Sequence, residues 1–219
     1  MKYKTYLFDL DGTLTDSGKG IINAVRYSLK RSGDEIPVEE TLLKFIGPPL
    51  WESFETFLGF SHEKAENAVK LYREYYNETG LFENSVYSGI PELLEILRAD
   101  GAKLAVATSK PEVFSLKILE RFDLLKYFDS VTGSELDGTR TEKSDVIACA
   151  LEKFTAQGKS LEEIKSGAVM VGDRKHDIIG ARKNGLPCIA VLYGYGNESE
   201  FREYGADYIV KAPQDITDI

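Results

Sequence analysis

The sequence predicts a doubly wound, parallel α/β sheet with an all-helical domain inserted after its first strand. Three observations carry that expectation. Short apolar runs bounded by charge, glycine or proline alternate with amphipathic helical segments, as βαβ units require. The alternation is interrupted once, from about Thr15 to Tyr87, where the apolar spacing is helical throughout. About 70 residues of helix are thus inserted between the first and second strands, far more than an ordinary crossover connection.

The elements follow in order. "KTYLFDL" (Lys4–Leu10), "KLAVATS" (Lys103–Ser109), "YFDSVT" (Tyr127–Thr132), "GAVMVGD" (Gly167–Asp173) and "PCIAVLY" (Pro187–Tyr193) read as buried parallel strands. A weaker strand is expected at Ala206–Val210. Between them, "PELLEILRADG" has Pro91 in its first turn, Gly101 at its exit and a stripe of Leu93, Leu94 and Leu97. "EVFSLKILERF", "KSDVIACALEKF" and "KHDIIGARKNG" repeat that arrangement.

In the inserted segment, Ile21, Ile22, Val25 and Leu29 recur at helical spacing before Gly33, and Ala65, Ala68, Val69, Tyr72 and Tyr76 do so after Ser61. The expected division is therefore a core of residues 1–15 and 88–219 and a helical domain of residues 16–87. Their connections, near Asp16–Gly18 and Phe82–Gly89, contain Gly and Ser residues that a hinge could use.

Composition narrows the function classes. The 219-residue chain can bury a sizeable core, and its 42% hydrophobic and 29% charged content indicates neither disorder nor a fibrous repeat. With 36 acids against 27 bases and a net charge of −9, it has no basic block to bind a nucleic-acid polymer or an anionic membrane. Cys149 and Cys188 lack metal-ligand spacing and are expected to be buried free thiols, which fits a reducing cytoplasm. Acids interrupt the N-terminal apolar run before a signal peptide is complete, and no uncharged run approaches the roughly 20 residues that span a bilayer. The expectation is a soluble cytoplasmic protein.

The chemistry gathers at strand ends. Asp9 closes the first strand, and Asp11, two residues on, can project toward the same site before Gly12 frees the backbone to turn. Two carboxylates so close call for a divalent cation, for one protonated carboxyl, or for different duties at different stages of a reaction. A turn or helix cap would also account for "DLDGT" taken alone. Other strand ends tip the balance. Thr108 and Ser109 finish the second strand with groups suited to phosphate oxygens, Asp173 finishes the fourth with Asp177 one helical turn on, and Lys143 opens the helix before it.

At this point the sequence resembles the haloacid dehalogenase-like hydrolase superfamily over nearly its whole length. The matching elements are "DLDGT" (Asp9–Thr13), "ATSK" (Ala107–Lys110), Lys143 and "GDRKHD" (Gly172–Asp177), in that family's order. The helical insertion resembles its C1-type cap, so the chain looks like the phosphoglycolate phosphatase-like branch, on a Rossmann-like core.

The resemblance implies an enzyme, a Mg²⁺-dependent phosphomonoester hydrolase. Asp9 would be the nucleophile that forms an aspartyl-phosphate, and Asp11 the general acid and base whose backbone carbonyl also binds the metal. Asp9 and Asp173 would complete the metal site, with Asp177 orienting from behind. Thr108, Ser109 and Lys143 would hold the phosphoryl oxygens. Ser109 stands where Asn is frequent in that family, a change a backbone contact would survive.

The implied substrate is a small phosphorylated metabolite: phosphoglycolate, a sugar phosphate or a nucleoside monophosphate, as for a 5'-nucleotidase. A β-phosphoglucomutase, a pyrophosphatase or a non-catalytic phosphate-binding module remain alternatives, and nothing marks the oligomeric state. In the cap, "FIGPPLWESF" (Phe45–Phe54) reads as a stiff turn with Phe45, Leu50 and Trp51 in the cap core, or as a turn meeting the leaving group. Lys44, His62 and His176 are expected to be solvated, Arg174 to form a structural ion pair, and "LYREYYNE" to be a packing stripe.

Overall fold

A computed structural model describes residues 2–219 except 138, 156, 157 and 159. The chain forms two compact units, one of Met1–Leu14 with Val86–Ile219 and the other of Thr15–Ser85. In chain order the elements are β1 (Thr5–Phe8), β2 (Thr15–Asp16), α1 (Gly18–Ser32), α2 (Glu39–Leu43), α3 (Leu50–Leu58), α4 (His62–Glu78), β3 (Ser85–Val86), α5 (Ile90–Ala99) and β4 (Lys103–Pro111). There follow α6 (Glu112–Arg121), β5 (Ser130–Ser134), α7 (Lys143–Thr155), α8 (Leu161–Ser166), β6 (Ala168–Gly172), α9 (Lys175–Lys183), β7 (Cys188–Val191), α10 (Glu198–Tyr204) and β8 (Tyr208–Val210).

The larger unit is built on a six-stranded parallel sheet in the order β5-β4-β1-β6-β7-β8. Thr5–Phe8 of β1 pair with Lys103–Val106 on one side and Ala168–Val171 on the other. The chain builds outward from β1 through β4 and β5, then returns to β1 and builds the other flank from β6. β1 therefore stands where the strand order reverses, the place at which such sheets open a crevice beyond their carboxyl ends. Tyr6, Leu7 and Phe8 are fully buried, so β1 is covered on both faces. Leu7, Ala105 and Met170 share one core cluster with Ile147 of α7 and Ile178 and Ala181 of α9, which fixes those two helices against the sheet.

Several boundaries differ from the expected ones. β5 begins at Ser130 because Leu125–Tyr127 form a 3₁₀ turn, and β4 runs on through Pro111 with an irregular register. α8 and α10 escaped the periodicity because each spans less than two turns. Both are identified instead by their caps. Glu163 N–H donates to Ser160 Oγ at 3.3 Å while the Glu163 carboxylate accepts from Ser160 N–H at 2.8 Å, and Asn197 Oδ1 accepts from Glu200 N–H at 3.0 Å. Cys188 is buried as expected, but Cys149 is only half-buried, with Arg140 Nη1 3.3 Å from its sulfur.

The smaller unit is helical. Ile21, Ile22, Val25 and Leu29 form the buried stripe of α1, and Ala65, Ala68, Tyr72 and Tyr76 that of α4. Ser28 Oγ donates to Ala68 O at 2.7 Å between these helices, and the rings of Tyr72 and Tyr76 stack at 5.2 Å. Phe54 is fully buried between the rings of Phe45, at 5.1 Å, and Phe60, at 5.8 Å. Trp51 does not join this core: it is 38% exposed, with its ring 6.1 Å from that of His62, and Leu50 is half-buried. Phe54 occupies the covered position, and an apolar side chain with no element over it stays at the surface. Lys44 and His62 are exposed beside Glu40 and Glu55. No described helix is long and apolar enough to cross a membrane.

Candidate active site

Beyond the carboxyl ends of β1 and β6, the larger unit brings together Asp9, Asp173, Asp177 and Lys143, while Thr108 and Ser109 follow Ala107 of β4, whose carbonyl binds Lys143. Asp9 follows β1 directly, and its N–H donates to Val171 O at 2.9 Å, so the sheet ladder itself fixes the backbone of this residue. Its side chain is buried. Oδ1 accepts from Leu10 N–H at 2.7 Å and from Lys143 Nζ at 2.9 Å. Both contacts fall on one oxygen, and among the described residues Oδ2 receives none.

Lys143, the first residue of α7, is buried and binds Asp9 Oδ1, Asp177 Oδ1 at 2.8 Å and Ala107 O at 3.1 Å. Burial alone would push its ammonium toward neutrality, but the charges of Asp177 and Asp9 outweigh that and hold its pKa above the ordinary lysine value. Asp177 also accepts from Arg174 N–H at 3.1 Å through Oδ2. Burial pushes its carboxyl up to about 6 although Lys143 pulls it down.

Asp173 is fully buried. Its Oδ2 accepts from Tyr195 N–H at 2.7 Å, and its Oδ1 is buried with no hydrogen-bond partner. Burial, then the charges of Asp177 and Asp9, push this carboxyl well above the usual range. Gly12 is packed against it with φ +79°, and a Cβ there would fall 2.1 Å from Asp173 Oδ2. Thr108 is buried where the register of β4 becomes irregular, and its Oγ1 accepts from Lys110 N–H at 3.3 Å. The half-buried Ser109 beside it accepts through its carbonyl from Ser134 Oγ at 2.8 Å.

Ligand atoms of Asp9, Asp173 and Asp177 lie within 4.8 Å of one another, all buried. Counting Asp11, four buried carboxylates meet two ammoniums, Lys110 and Lys143, leaving an excess of two formal negative charges. The partnerless Asp173 Oδ1 and this imbalance fit a hard divalent ion with oxygen ligands.

Two contributors went unassigned in the sequence. Lys110 lies within the quoted "ATSK", and its ammonium is 2.7 Å from Asp11 Oδ2. The loop after β7, "YGYG" (Tyr193–Gly196), supplies the N–H on Asp173, and a Cβ at Gly194 would fall 2.2 Å from Gly12 O. A glycine-rich run at a strand end was the available signal. Arg174 pairs with Glu200 at 3.3 Å, as expected. His176 is half-buried rather than solvated, and burial followed by the charges of Arg174 and Lys175 lowers its imidazole to about 4.

Comparison with known proteins agrees with this arrangement. The model of the family described as haloacid dehalogenase-like hydrolase matches residues 6–191. The chain is 46% identical over 204 residues to a 5'-nucleotidase of Pseudomonas aeruginosa, covering 93% of this chain and 89% of that one. It is 40% identical over 190 residues to the tyrosine-protein kinase PtkA of Mycobacterium tuberculosis, covering 87% of this chain but 62% of the relative. The crystal structure of a predicted phosphatase from Clostridium acetobutylicum superposes with a TM-score of 0.91 at 45% identity, over 100% of both chains. With its aspartates at the ends of β1 and β6 and this match across most of its length, the chain belongs to the haloacid dehalogenase-like hydrolases.

Proposed function

We propose that this protein is a Mg²⁺-dependent phosphomonoester hydrolase that works through an aspartyl-phosphate on Asp9. The observation that carries this reading is the asymmetry of Asp9. Its Oδ1 is held by Leu10 N–H and Lys143, while Oδ2, rigidly placed by a buried strand, is left to attack.

In the first half-reaction, Asp9 Oδ2 forms a bond to phosphorus as the bond to the leaving oxygen breaks, and Asp11 gives that oxygen its proton. In the second, Asp11 takes a proton from the water that attacks phosphorus, phosphate departs and Asp9 is regenerated. Thr108, the Ser109 backbone and Lys143 hold the phosphoryl oxygens, and Asp177 keeps Lys143 in place. Mg²⁺, held by Asp9, Asp173 and the Asp11 carbonyl, would neutralise charge on the phosphoryl group. The helical unit is read as a cap that excludes water and selects the leaving group. Similarity to a 5'-nucleotidase makes a nucleoside monophosphate the first substrate to try.

The test is phosphate release, with and without Mg²⁺, from nucleoside monophosphates, sugar phosphates, phosphoglycolate and pyrophosphate. Release that needs Mg²⁺ and disappears in Asp9→Asn supports the reading, and unchanged release in that variant overturns it. Similarity to a tyrosine-protein kinase favours a second reading, in which an acceptor hydroxyl replaces water. Labelled phosphoryl appearing on an added alcohol or peptide at the expense of free phosphate would select it.

A further inference from the structure

A second lysine with a buried side chain, Lys110, lies against Asp11 and takes no part in the two half-reactions. The Lys110 and Asp11 side chains are 6% and 10% exposed, and their charged atoms are 2.7 Å apart. A buried ion pair is weak evidence of stabilisation, because desolvation of both charges offsets most of their attraction. Asp11 Oδ1, the other carboxylate oxygen, is buried and has no hydrogen-bond partner.

The backbone takes trouble to aim this lysine. Ala107 of β4 pairs with Thr132 and Pro111 with Ser134, so residues 108–110 bulge opposite the single residue Gly133. A Cβ at Gly133 would lie 2.5 Å from Lys110 O, so only glycine lets the bulge close against β5. Lys110 N–H to Thr108 Oγ1 at 3.3 Å and Ser134 Oγ to Ser109 O at 2.8 Å brace it from within and without.

We propose that Lys110 is a positioning residue for Asp11: its ammonium ties Oδ2, so that Oδ1 is the oxygen that carries the proton to and from the reacting oxygens. The ammonium donates to Oδ2 whether or not Oδ1 is protonated, so one contact serves both half-reactions. The inference rests on the reading of Asp11 as general acid and base.

The experiment uses single-turnover rates of the Mg²⁺-loaded protein on two esters, phenyl phosphate, whose leaving group needs a proton, and 2,4-dinitrophenyl phosphate, whose leaving group does not. General acid catalysis is worth about 10²–10⁴-fold, so Lys110→Met should lose at least ~30-fold more on phenyl phosphate than on the dinitrophenyl ester. Asp11→Asn should show the same selectivity. Because residues acting as a unit are not additive, the double variant should be within about 3-fold of Asp11→Asn alone. The double variant retains neither buried charge, and so keeps the comparison open where Lys110→Met folds poorly.

Equal losses on both esters, wild-type rates in Lys110→Met, or a further tenfold loss in the double variant would overturn the role of Lys110 while leaving Asp11 in place. An Asp11→Asn variant without leaving-group selectivity would instead overturn the reading of Asp11, and this inference with it.

Discussion

The Lys143 ammonium lies 2.9 Å from Asp9 Oδ1 and joins the helix start of α7 to the end of β1. It is bound equally closely to Asp177, at 2.8 Å, so a single cation sits between the two acids. Lys143 therefore both orients Asp9 and screens it from the other acids.

Lys143→Met is expected to lower kcat by about 10²–10³-fold, the cost of losing one preorganised donor to developing charge. Without Mg²⁺ it should also lose about 3 kcal/mol of stability in urea titration, because Asp9 and Asp177 remain buried without their partner. A variant with wild-type turnover would sink this assignment.

The acidic cluster predicts how Mg²⁺ acts on stability at different pH. The carboxyl of Asp177 titrates at about 6 in the folded protein, above its ordinary 3.8, with burial the main cause. A raised carboxyl contributes stability below the ordinary value and loses it as pH rises through about 6, and the same direction holds for Asp173. A divalent ion held by the cluster would bind its ionised form, so the rise in Tm on adding Mg²⁺ should be larger at pH 8 than at pH 5. Equal or reversed increments in differential scanning fluorimetry would contradict the cluster's role, and Asp173→Asn should remove most of the pH 8 increment.

Gly194→Ala should weaken Mg²⁺ binding without unfolding the core. A methyl group there meets Gly12 O at 2.2 Å and Asp173 Cβ at 2.4 Å, displacing the loop whose Tyr195 N–H orients Asp173. Loss of such an orienting contact typically costs about 10–100-fold in metal affinity. Calorimetric titration with Mg²⁺ checks it, and unchanged affinity would show that the loop does not hold the carboxylate.

In the helical unit, Phe54→Ala should destabilise by about 3–5 kcal/mol, since a fully buried ring between Phe45 and Phe60 leaves a cavity. Trp51→Ala, at a position 38% exposed, should cost less than about 1 kcal/mol. Chemical denaturation of the two variants checks that Phe54, and not Trp51, lies in the core of the helical unit.

Much of the site was legible because its residues sit at places that local pattern reveals. Asp9 and Asp173 end apolar runs, Thr108 ends another, and Lys143 opens an amphipathic helix. Lys110 was in plain view but carried no signal, because its direction depends on a bulge braced by Gly133 and Ser134 of the neighbouring strand. The Tyr195 N–H left only the flanking Gly194 and Gly196 as a signal, since a backbone donor has no side chain to read. Trp51 was misplaced because an apolar residue is buried only where another element covers it.

By itself the sequence determined the alternation of strands and helices, the helical insertion and which carboxylates stand at strand ends. Those follow from periodicity and from the residues that bound each run, and both are local. Only the tertiary structure decided which carboxylate oxygen faces which ammonium, which oxygen of Asp173 is left without a partner, and that Lys110 turns toward Asp11. These depend on contacts between strands far apart in the chain, where ångström-scale differences in backbone approach set the electrostatics and leave no periodic trace.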